Sequence, residues 1–264
     1  MTRALVFDSG VGGLTIATEL RRAAPDWTVD YAADAGFFPY GVKTDDELRV
    51  RLPGLCASLV DIARPDVLVI ACNTASTLSL ADIRACVAIP VVGTVPAIKP
   101  AADLTRTGVI GVLATPGTVK RAYLDDLERQ FAAGKTVIRR GSAGLVDMAE
   151  RAVRGMAPDA DAVAYAVQPM FDGPEGARID VVVLACTHFP LIREAIAAAC
   201  PPAVTLIDTG EAVARQALRV APASTGNDPG GAPVAYVTGG HANLAAMAPV
   251  LARFGYADVR VVDL

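Results

Sequence analysis

The sequence is poor in aromatic residues and in histidine, and it has no long apolar segment. Aromatic residues make up 5% of its 264 residues, and two residues are histidines. The apolar residues come in short runs broken by Gly, Pro and Asp, well short of the roughly 20 residues that a membrane-spanning helix needs. The opening residues, MTRALVFD, lack the layout of a signal peptide. We therefore expect a soluble cytoplasmic protein with no membrane partner and no His-rich metal site.

Clusters of positive charge are missing as well. The formal net charge is −4, and no stretch interleaves aromatic residues with Arg or Lys. Proteins that bind nucleic acid usually carry a basic patch, because they must neutralise phosphates. We expect a small-molecule substrate and no nucleic-acid partner.

The cysteines do not form a disulfide framework. There are five of them, an odd number, and no two have Cys-x-x-Cys spacing. Cys56, Cys86 and Cys200 lie in or at the end of helical patterns without a polar cluster, which is typical of small buried residues. Cys72 and Cys186 instead follow apolar runs and stand next to hydrogen-bonding side chains.

Strand-like and helix-like segments alternate along the chain. Uninterrupted, β-branched apolar runs predict buried parallel strands at residues 4–7, 28–33, 67–71, 91–95, 109–113, 181–184, 204–207 and 234–237. Amphipathic segments predict helices that include residues 14–24, 80–87, 119–131, 145–153, 191–199 and 244–254. This alternation predicts an α/β fold with mainly parallel sheets.

Two further segments contain Pro and Gly. Residues 45–63 have a helical pattern that Pro53 and Gly54 should kink or split. Residues 224–232, rich in Gly, Pro and Asn, are predicted to form a surface loop.

A near-repeat is the most informative feature of the sequence. VLVIACNT (residues 67–74) and VVVLACTH (residues 181–188) each end an apolar run in Ala-Cys and continue with small polar residues. Ligands of parallel α/β sheets bind beyond the carboxyl ends of the strands. The repeat therefore predicts two related domains, each of which places one cysteine at a site.

Two such thiols suit a reaction that moves a proton from one face of a carbon to the other. One base removes the α-proton, and an acid on the opposite side returns a proton. A thiol serves in both roles, because its pKa of about 8.5 can be lowered by its surroundings.

Other polar residues follow predicted strands. Asp8, before the glycine-rich residues 10–13, is a candidate to orient or deprotonate a neighbouring amine or thiol. Five more candidates for hydrogen bonds to substrate carboxylates stand at the same sheet edges: Asn73, Thr74, Thr118, Thr187 and His188. Each of these could instead cap the following helix.

Four spaced segments together resemble the glutamate racemases of the aspartate/glutamate racemase superfamily. They are FDSGVGGL (residues 7–14), FPYG (38–41), ACNTAS (71–76) and ACTHFP (185–190). Residues 114–119 and 236–239 also look like that family. The likeness runs in order across nearly the whole chain.

The resemblance implies interconversion of L- and D-glutamate for peptidoglycan synthesis, without pyridoxal phosphate or any other cofactor. It implies two pseudo-symmetric α/β domains, residues 1–95 with 210–264 and residues 96–209, and an active site in the cleft between them. Cys72 and Cys186 would be the catalytic thiols, assisted by Asp8, His188 and Glu150. The substrate site would contain Asp8, Ser9, Pro39, Tyr40, Gly41, Asn73, Thr74, Thr118, Thr187 and His188.

Other functions stay open at this point. The chain could be an aspartate or hydantoin racemase of the same superfamily, although Asp8-Ser9 and residues 39–41 favour glutamate. From other classes, it could be a thiol redox or metal-binding protein that uses Cys72, Cys186 and His188, or a protein-interaction regulator. The sequence does not fix the oligomeric state, and a homodimer is one option.

Overall fold

Parallel strands form two separate sheets in the computed structural model, which describes residues 1–222 and 231–263. The chain divides into two compact units, Met1–Thr94 with Gly210–Leu264, and Val95–Thr209. Of the predicted surface loop at 224–232, residues 224–230 lie outside the described residues. No described helix is both long enough and apolar enough to cross a membrane.

The first unit begins with alternating strands and helices. They are β1 (Arg3–Asp8), α1 (Leu14–Ala23), β2 (Thr28–Ala33), α2 (Asp45–Ala63), β3 (Val67–Ile70), α3 (Asn73–Cys86) and β4 (Val91–Gly93). A single 3-10 turn, Tyr40–Val42, lies between β2 and α2.

The second unit continues the alternation. Its elements are α4 (Ile98–Leu104), β5 (Val109–Ala114), α5 (Pro116–Val119), α6 (Ala122–Phe131), β6 (Thr136–Gly141), α7 (Gly144–Ala152), α8 (Ala160–Val167), α9 (Gly173–Gly176), β7 (Val181–Leu184), α10 (Arg193–Ala199) and β8 (Thr205–Ile207). Short 3-10 helices at Gln168–Phe171 and Phe189–Ile192 precede α9 and α10.

The chain then returns to the first unit. It adds α11 (Gly210–Val220), β9 (Val234–Thr238), α12 (Gly240–Arg253) and β10 (Asp258–Val262).

Four neighbouring strands have the same order in both sheets. Within the described residues, the first sheet runs β10-β9-β2-β1-β3-β4 and the second runs β6-β5-β7-β8. All pairs are parallel. The order β2-β1-β3-β4 therefore recurs in the second unit as β6-β5-β7-β8, and the prediction of an α/β fold with parallel sheets is confirmed.

Apolar side chains on the central strands make the cores. Every residue of β2, β3, β5 and β7 is buried, as expected where helices cover both faces of a parallel sheet. In the first unit Phe7 and Ile70 pack with leucines of α2, and in the second Ile110 and Val183 pack with Leu124 of α6. The central strands are therefore marked in the sequence by uniformly apolar runs rather than by alternation of apolar and polar residues.

Residues 45–63 were predicted to kink or split at Pro53, and the split is wrong, because α2 is one helix through Pro53. Thr44 and Glu47 form a capping box at its start, in which each side chain bonds the other's backbone N–H. A proline inside a helix costs about 3 kcal/mol. Burial of a leucine contributes about 1.5–3 kcal/mol, and α2 buries four on one stripe: Leu48, Leu52, Leu55 and Leu59.

Several other elements differ from the prediction. Helix α3 begins at Asn73 rather than near residue 80, because its first turns are polar and have no apolar period. Strands β6 and β10 lie at sheet edges and were not predicted. Strand β6 contains two adjacent arginines and is only half buried, so it lacks the uniform apolar run of a central strand.

Replacing Pro53 by Ala should raise the stability of the protein. Alanine restores a backbone N–H in the middle of α2, and we expect a net gain of about 1–2 kcal/mol in the free energy of unfolding after the entropy gained by the unfolded chain is subtracted. Thermal and urea unfolding measure it. Pro90→Ala, outside any helix, is the matched control and should be neutral or destabilising. A loss of stability in Pro53→Ala would mean that the helix does end at this proline.

Candidate active site

Strand register places Cys72 and Cys186 at equivalent positions in the two units. In the first sheet Phe7 pairs with Ile70, and Cys72 stands two residues farther on. In the second sheet Leu113 pairs with Leu184, and Cys186 again stands two residues farther on.

The same backbone bond precedes each thiol. Ala71 N–H donates to the Phe7 carbonyl at 2.7 Å, and Ala185 N–H donates to the Leu113 carbonyl at 2.8 Å. The near-repeat in the sequence is therefore a repeat in backbone structure.

Cys72 lies at the start of a helix. It is the residue before α3, and its carbonyl accepts the first helical bond, from Ser76 N–H at 2.9 Å. The amino-terminal end of a helix presents backbone N–H groups and a partial positive charge. The Sγ atom of Cys72 is 3.9 Å from Oγ of Ser9, within reach of a weak hydrogen bond. The structure thus brings together two of the predicted site residues, from the ends of β3 and β1.

Asp8 ends β1 and is fully buried. Its Oδ1 accepts a hydrogen bond from Gly10 N–H at 2.7 Å. Gly13 packs so closely that an added Cβ would lie 2.7 Å from Asp8 Cβ and 2.9 Å from Ala71 Cβ. Helix α1 can therefore start directly against the ends of β1 and β3 only because this position is glycine.

Asn73 and Thr74 open α3 and are buried. Oδ1 of Asn73 is buried and has no hydrogen-bond partner among the described residues. Buried polar atoms without partners are rare in folded proteins, and they often face a ligand.

The segment 39–41 follows a cis peptide bond between Phe38 and Pro39. Tyr40 is almost fully buried, and its hydroxyl donates to Oδ2 of Asp34 at 2.5 Å. Burial, the negative charge of Asp34 and the hydrogen bond to it, and more weakly the charge of Cys72, raise the pKa of Tyr40 well above its ordinary value. Tyr40 is thus a neutral donor at physiological pH.

The second thiol belongs to a chain of three polar groups. Sγ of Cys186 is 3.9 Å from Nδ1 of His188, and Nε2 of His188 is 3.0 Å from Oε1 of Glu150 on α7. Arg154 holds the other carboxylate oxygen of Glu150 at 3.0 Å. When Nε2–H is donated to Glu150, Nδ1 is left to accept a proton from the thiol. This thiol–imidazole–carboxylate order is suited to moving a proton on and off sulfur.

Thr118 and Thr187 are also buried in the second unit. Thr118 lies in the single turn α5, which Thr115 caps by accepting from Thr118 N–H at 3.3 Å. The Thr115 hydroxyl donates to the Thr118 hydroxyl at 3.0 Å. Thr187 lies between Cys186 and His188.

The three other cysteines lack such surroundings. Burial raises the pKa of Cys56 far above its ordinary value and raises the pKa of Cys200 to about 11. Cys86, at the end of α3, is exposed. In the described part of the chain, no three His, Cys, Asp or Glu side chains are grouped so that they could hold a metal ion.

Sequence reasoning missed Arg154, Asp34 and the Arg51 that pairs with Asp34. Asp34 follows directly after β2, so its strand-end position was a signal that could have singled it out. Arg154 lies four residues after Glu150, a spacing that often pairs opposite charges.

Comparison with known proteins agrees with these features. The family model for Asp/Glu/Hydantoin racemase matches residues 15–217. The glutamate racemase of Sphingopyxis alaskensis is 46% identical over 256 residues, which cover 97% of this chain and 89% of that protein.

Two solved structures are also similar. The structure of Escherichia coli glutamate racemase with L-glutamate and the activator UDP-MurNAc-Ala has a TM-score of 0.91 and 38% identity, covering 99% of this chain and 98% of that one. A glutamate racemase isoform from Bacillus anthracis has a TM-score of 0.81 and 27% identity, covering 100% of this chain and 98% of that one. On the family match and on the identity over nearly its whole length, this chain belongs to the Asp/Glu/hydantoin racemase family.

Proposed function

We propose that this protein interconverts L- and D-glutamate by proton transfer at the α-carbon, and so supplies D-glutamate for peptidoglycan synthesis. The observation that carries the proposal is the matched placement of Cys72 and Cys186 two residues beyond paired strand positions. The similarity to glutamate racemases over almost the whole chain supports glutamate as substrate. All five cysteines are free thiols, which fits a reducing compartment, and we propose a cytoplasmic location.

In the proposed mechanism the two thiols act on opposite faces of the α-carbon. One is a thiolate and removes the α-proton, and the other is a thiol and donates its own proton to the opposite face. The C–H bond electrons stay on the substrate as a planar carbanion-like centre between the two steps. After one turnover the protonation states of the thiols are exchanged, so the same pair catalyses the reverse direction.

The two thiols receive different assistance. Cys72 has the helix terminus of α3 and the Ser9 hydroxyl, and Asp8 lies at the end of the adjacent strand. Cys186 has the His188 imidazole backed by the Glu150 carboxylate. We propose that His188 exchanges a proton with Cys186, while Asp8 orients the substrate amine or assists Cys72.

The buried polar groups around the strand ends suit an amino acid with two carboxylates. Asn73 and Thr74 supply polar side chains at the start of α3, and the unpartnered Oδ1 of Asn73 can accept from a substrate ammonium. Thr118, Thr187 and the segment 39–41 complete the proposed binding set. An aspartate substrate is the second candidate, since its side chain is shorter by one methylene but carries the same charges.

Serine substitutions of the two thiols should abolish racemisation. Purified protein freed of metals and pyridoxal phosphate is given L- or D-glutamate, and circular dichroism follows the loss of optical activity. Cys72→Ser and Cys186→Ser should each lower kcat by at least about 100-fold, because a hydroxyl is a far weaker base than a thiolate. The matched control is Cys86→Ser, an exposed thiol outside the site, which should leave the rate unchanged.

The assay also separates the alternatives. Each run is made with and without UDP-MurNAc-Ala, which activates the similar Escherichia coli enzyme, so that a need for an activator is not taken for inactivity. Turnover of aspartate but not glutamate would keep the chemistry and change the substrate. Undiminished activity in either thiol variant would rule out the two-thiol mechanism.

Deuterium labelling should show that the removed and the added proton belong to different groups. When L-glutamate reacts in D₂O, the first D-glutamate formed should carry deuterium at Cα, while the remaining L-glutamate keeps its hydrogen. The reason is that the thiolate keeps the hydrogen it removes, while the opposite thiol donates a deuterium that it has exchanged with solvent before the reaction. NMR or mass spectrometry of the separated enantiomers measures it. Product that retains the original hydrogen would point to a single base that serves both faces.

Alkylation should distinguish the five cysteines by their rates of reaction and by their protection by glutamate. With iodoacetamide at pH 8, Cys86 should react fastest, because it is exposed. Cys200, with a pKa of about 11, is then thiolate in roughly one molecule per thousand, and its slow rate should rise about tenfold for each pH unit up to its pKa. Glutamate should protect Cys72 and Cys186 but not Cys86, as peptide mass spectrometry will show. Equal protection of Cys86 would place the substrate elsewhere.

A further inference from the structure

A buried carboxylate gathers four hydrogen bonds beside the candidate substrate segment 39–41. Asp34 is fully buried just beyond β2. The Arg51 guanidinium, from α2, donates to both carboxylate oxygens at 2.7 Å. The Tyr40 hydroxyl donates to Oδ2 and the Thr238 hydroxyl donates to Oδ1, each at 2.5 Å. One side chain therefore joins the ends of β2 and β9, helix α2 and the segment 39–41.

The charges in this cluster are complementary. Burial of a carboxylate is costly unless it is paired, and a two-pronged arginine contact is a strong and geometrically specific pairing. The hydrogen bond to Asp34 and, more weakly, the negative charge of Asp34 raise the pKa of Arg51. Tyr40 cannot share the negative charge and stays a donor. The direction of the Tyr40–Asp34 bond is thereby fixed.

Arg51 also contacts Phe37, in the connection between β2 and α2. Its guanidinium carbon lies 5.1 Å from the centre of the Phe37 ring, and the ammonium of Lys43 lies 4.4 Å from that centre. Phe37 in turn packs edge-on against Tyr40, with ring centres 6.3 Å apart. Phe37, before the segment 39–41, is thus contacted both by the guanidinium that pairs with Asp34 and by Lys43, which follows the segment.

Thr238, at the end of β9, holds the start of the connection between β2 and α2. Thr238 Oγ accepts from Gly36 N–H at 3.0 Å while it donates to Asp34. A Cβ at Gly36 would lie 2.8 Å from the Cα of Gly239, so the two backbones are in direct contact. Movement of the segment would have to break several of these contacts together.

We propose that Asp34 and Arg51 are positioning residues for the candidate substrate segment 39–41, which they hold through the hydroxyl of Tyr40. This proposal rests on the proposed function. Pro39 and Gly41 flank Tyr40 directly, so a fixed Tyr40 side chain fixes the backbone that would meet the substrate. The effect then falls on how tightly glutamate is bound, and much less on the proton transfer itself.

The first test compares two arginines of the same helix. Arg51→Met should raise KM for glutamate about tenfold or more, the size expected for loss of charged hydrogen bonds, while kcat falls much less. Arg51→Lys should recover part of the lost affinity, because an ammonium can donate to one oxygen of Asp34 but cannot form the two parallel hydrogen bonds of a guanidinium. Arg49→Met is the matched control. Arg49 is about half exposed and pairs with Asp82 at 3.3 Å, away from the segment, so both constants should stay unchanged.

A second variant tests the route through Tyr40. Tyr40→Phe removes one oxygen and leaves the Asp34–Arg51 pair intact, so it remains informative even if Arg51→Met folds poorly. It should raise KM by itself, and adding Arg51→Met to it should raise KM by less than about threefold more, because groups in one network are not additive. Fully additive effects, or a fall in kcat with KM unchanged, would overturn the proposal.

Hydrogen exchange tests the positioning role without any turnover of substrate. Amide exchange of the peptide that covers residues 35–44 should be faster in Arg51→Met and in Tyr40→Phe than in the wild type and in Arg49→Met. Equal exchange in all four proteins would overturn the positioning role. A wild type that does not racemise glutamate would defeat the proposed function alone, since the exchange result would still show whether Arg51 holds the segment.

Discussion

Parallel strand pairing in a fixed register is the constraint on which the candidate site depends. A thiol at the carboxyl end of a central strand is placed by the hydrogen bonds of that strand to its neighbour, and the bonds of Ala71 and Ala185 to the preceding strands are the same in both units. A slip of one residue in either pair would turn the cysteine to the opposite face of its sheet. The side chains of β3 and β7 are buried on both faces, so such a slip would have to repack the core on each side of the sheet. Site geometry is thus a consequence of core packing.

The shared backbone carries different side-chain chemistry in the two units. Beside Cys72 stand a hydroxyl and a helix terminus, which act as a weak hydrogen-bond partner and a fixed partial charge. Beside Cys186 stands an imidazole whose far nitrogen meets a carboxylate that is itself held by Arg154. A racemase must treat two mirror-image substrates, but its two halves need not be equal. Equivalent backbone positions thus give the two thiols different hydrogen-bond partners.

Much of the fold could be predicted from the sequence, because buried parallel strands are uniformly apolar and stand out from the amphipathic helices between them. Strand β6 was missed, since an edge strand with two arginines has no such run. Of the kink or split predicted at Pro53, the split does not occur, because the penalty of one proline is smaller than the stabilisation from burying leucines on both sides of it. For the site, strand-end position and the near-repeat singled out Cys72 and Cys186. The role of Asp34 could not be read in the same way, because two of its partners, Arg51 and Thr238, stand 17 and 204 residues away along the chain.

The return of the chain to its first unit has a consequence for synthesis on the ribosome. Strand β9 pairs with β2, and Thr238 at its end bonds Asp34, yet these residues are made after the whole second unit. A nascent chain that has just finished β4 holds Asp8, Cys72 and Tyr40, but it lacks the strand that covers the open edge of β2. The second unit, by contrast, is contiguous in sequence and can close its own sheet as it emerges. The contacts of Asp34 and Gly36 with Thr238 can therefore form only after β9 has been synthesised, and a chain terminated before β9 would carry the first thiol without that support.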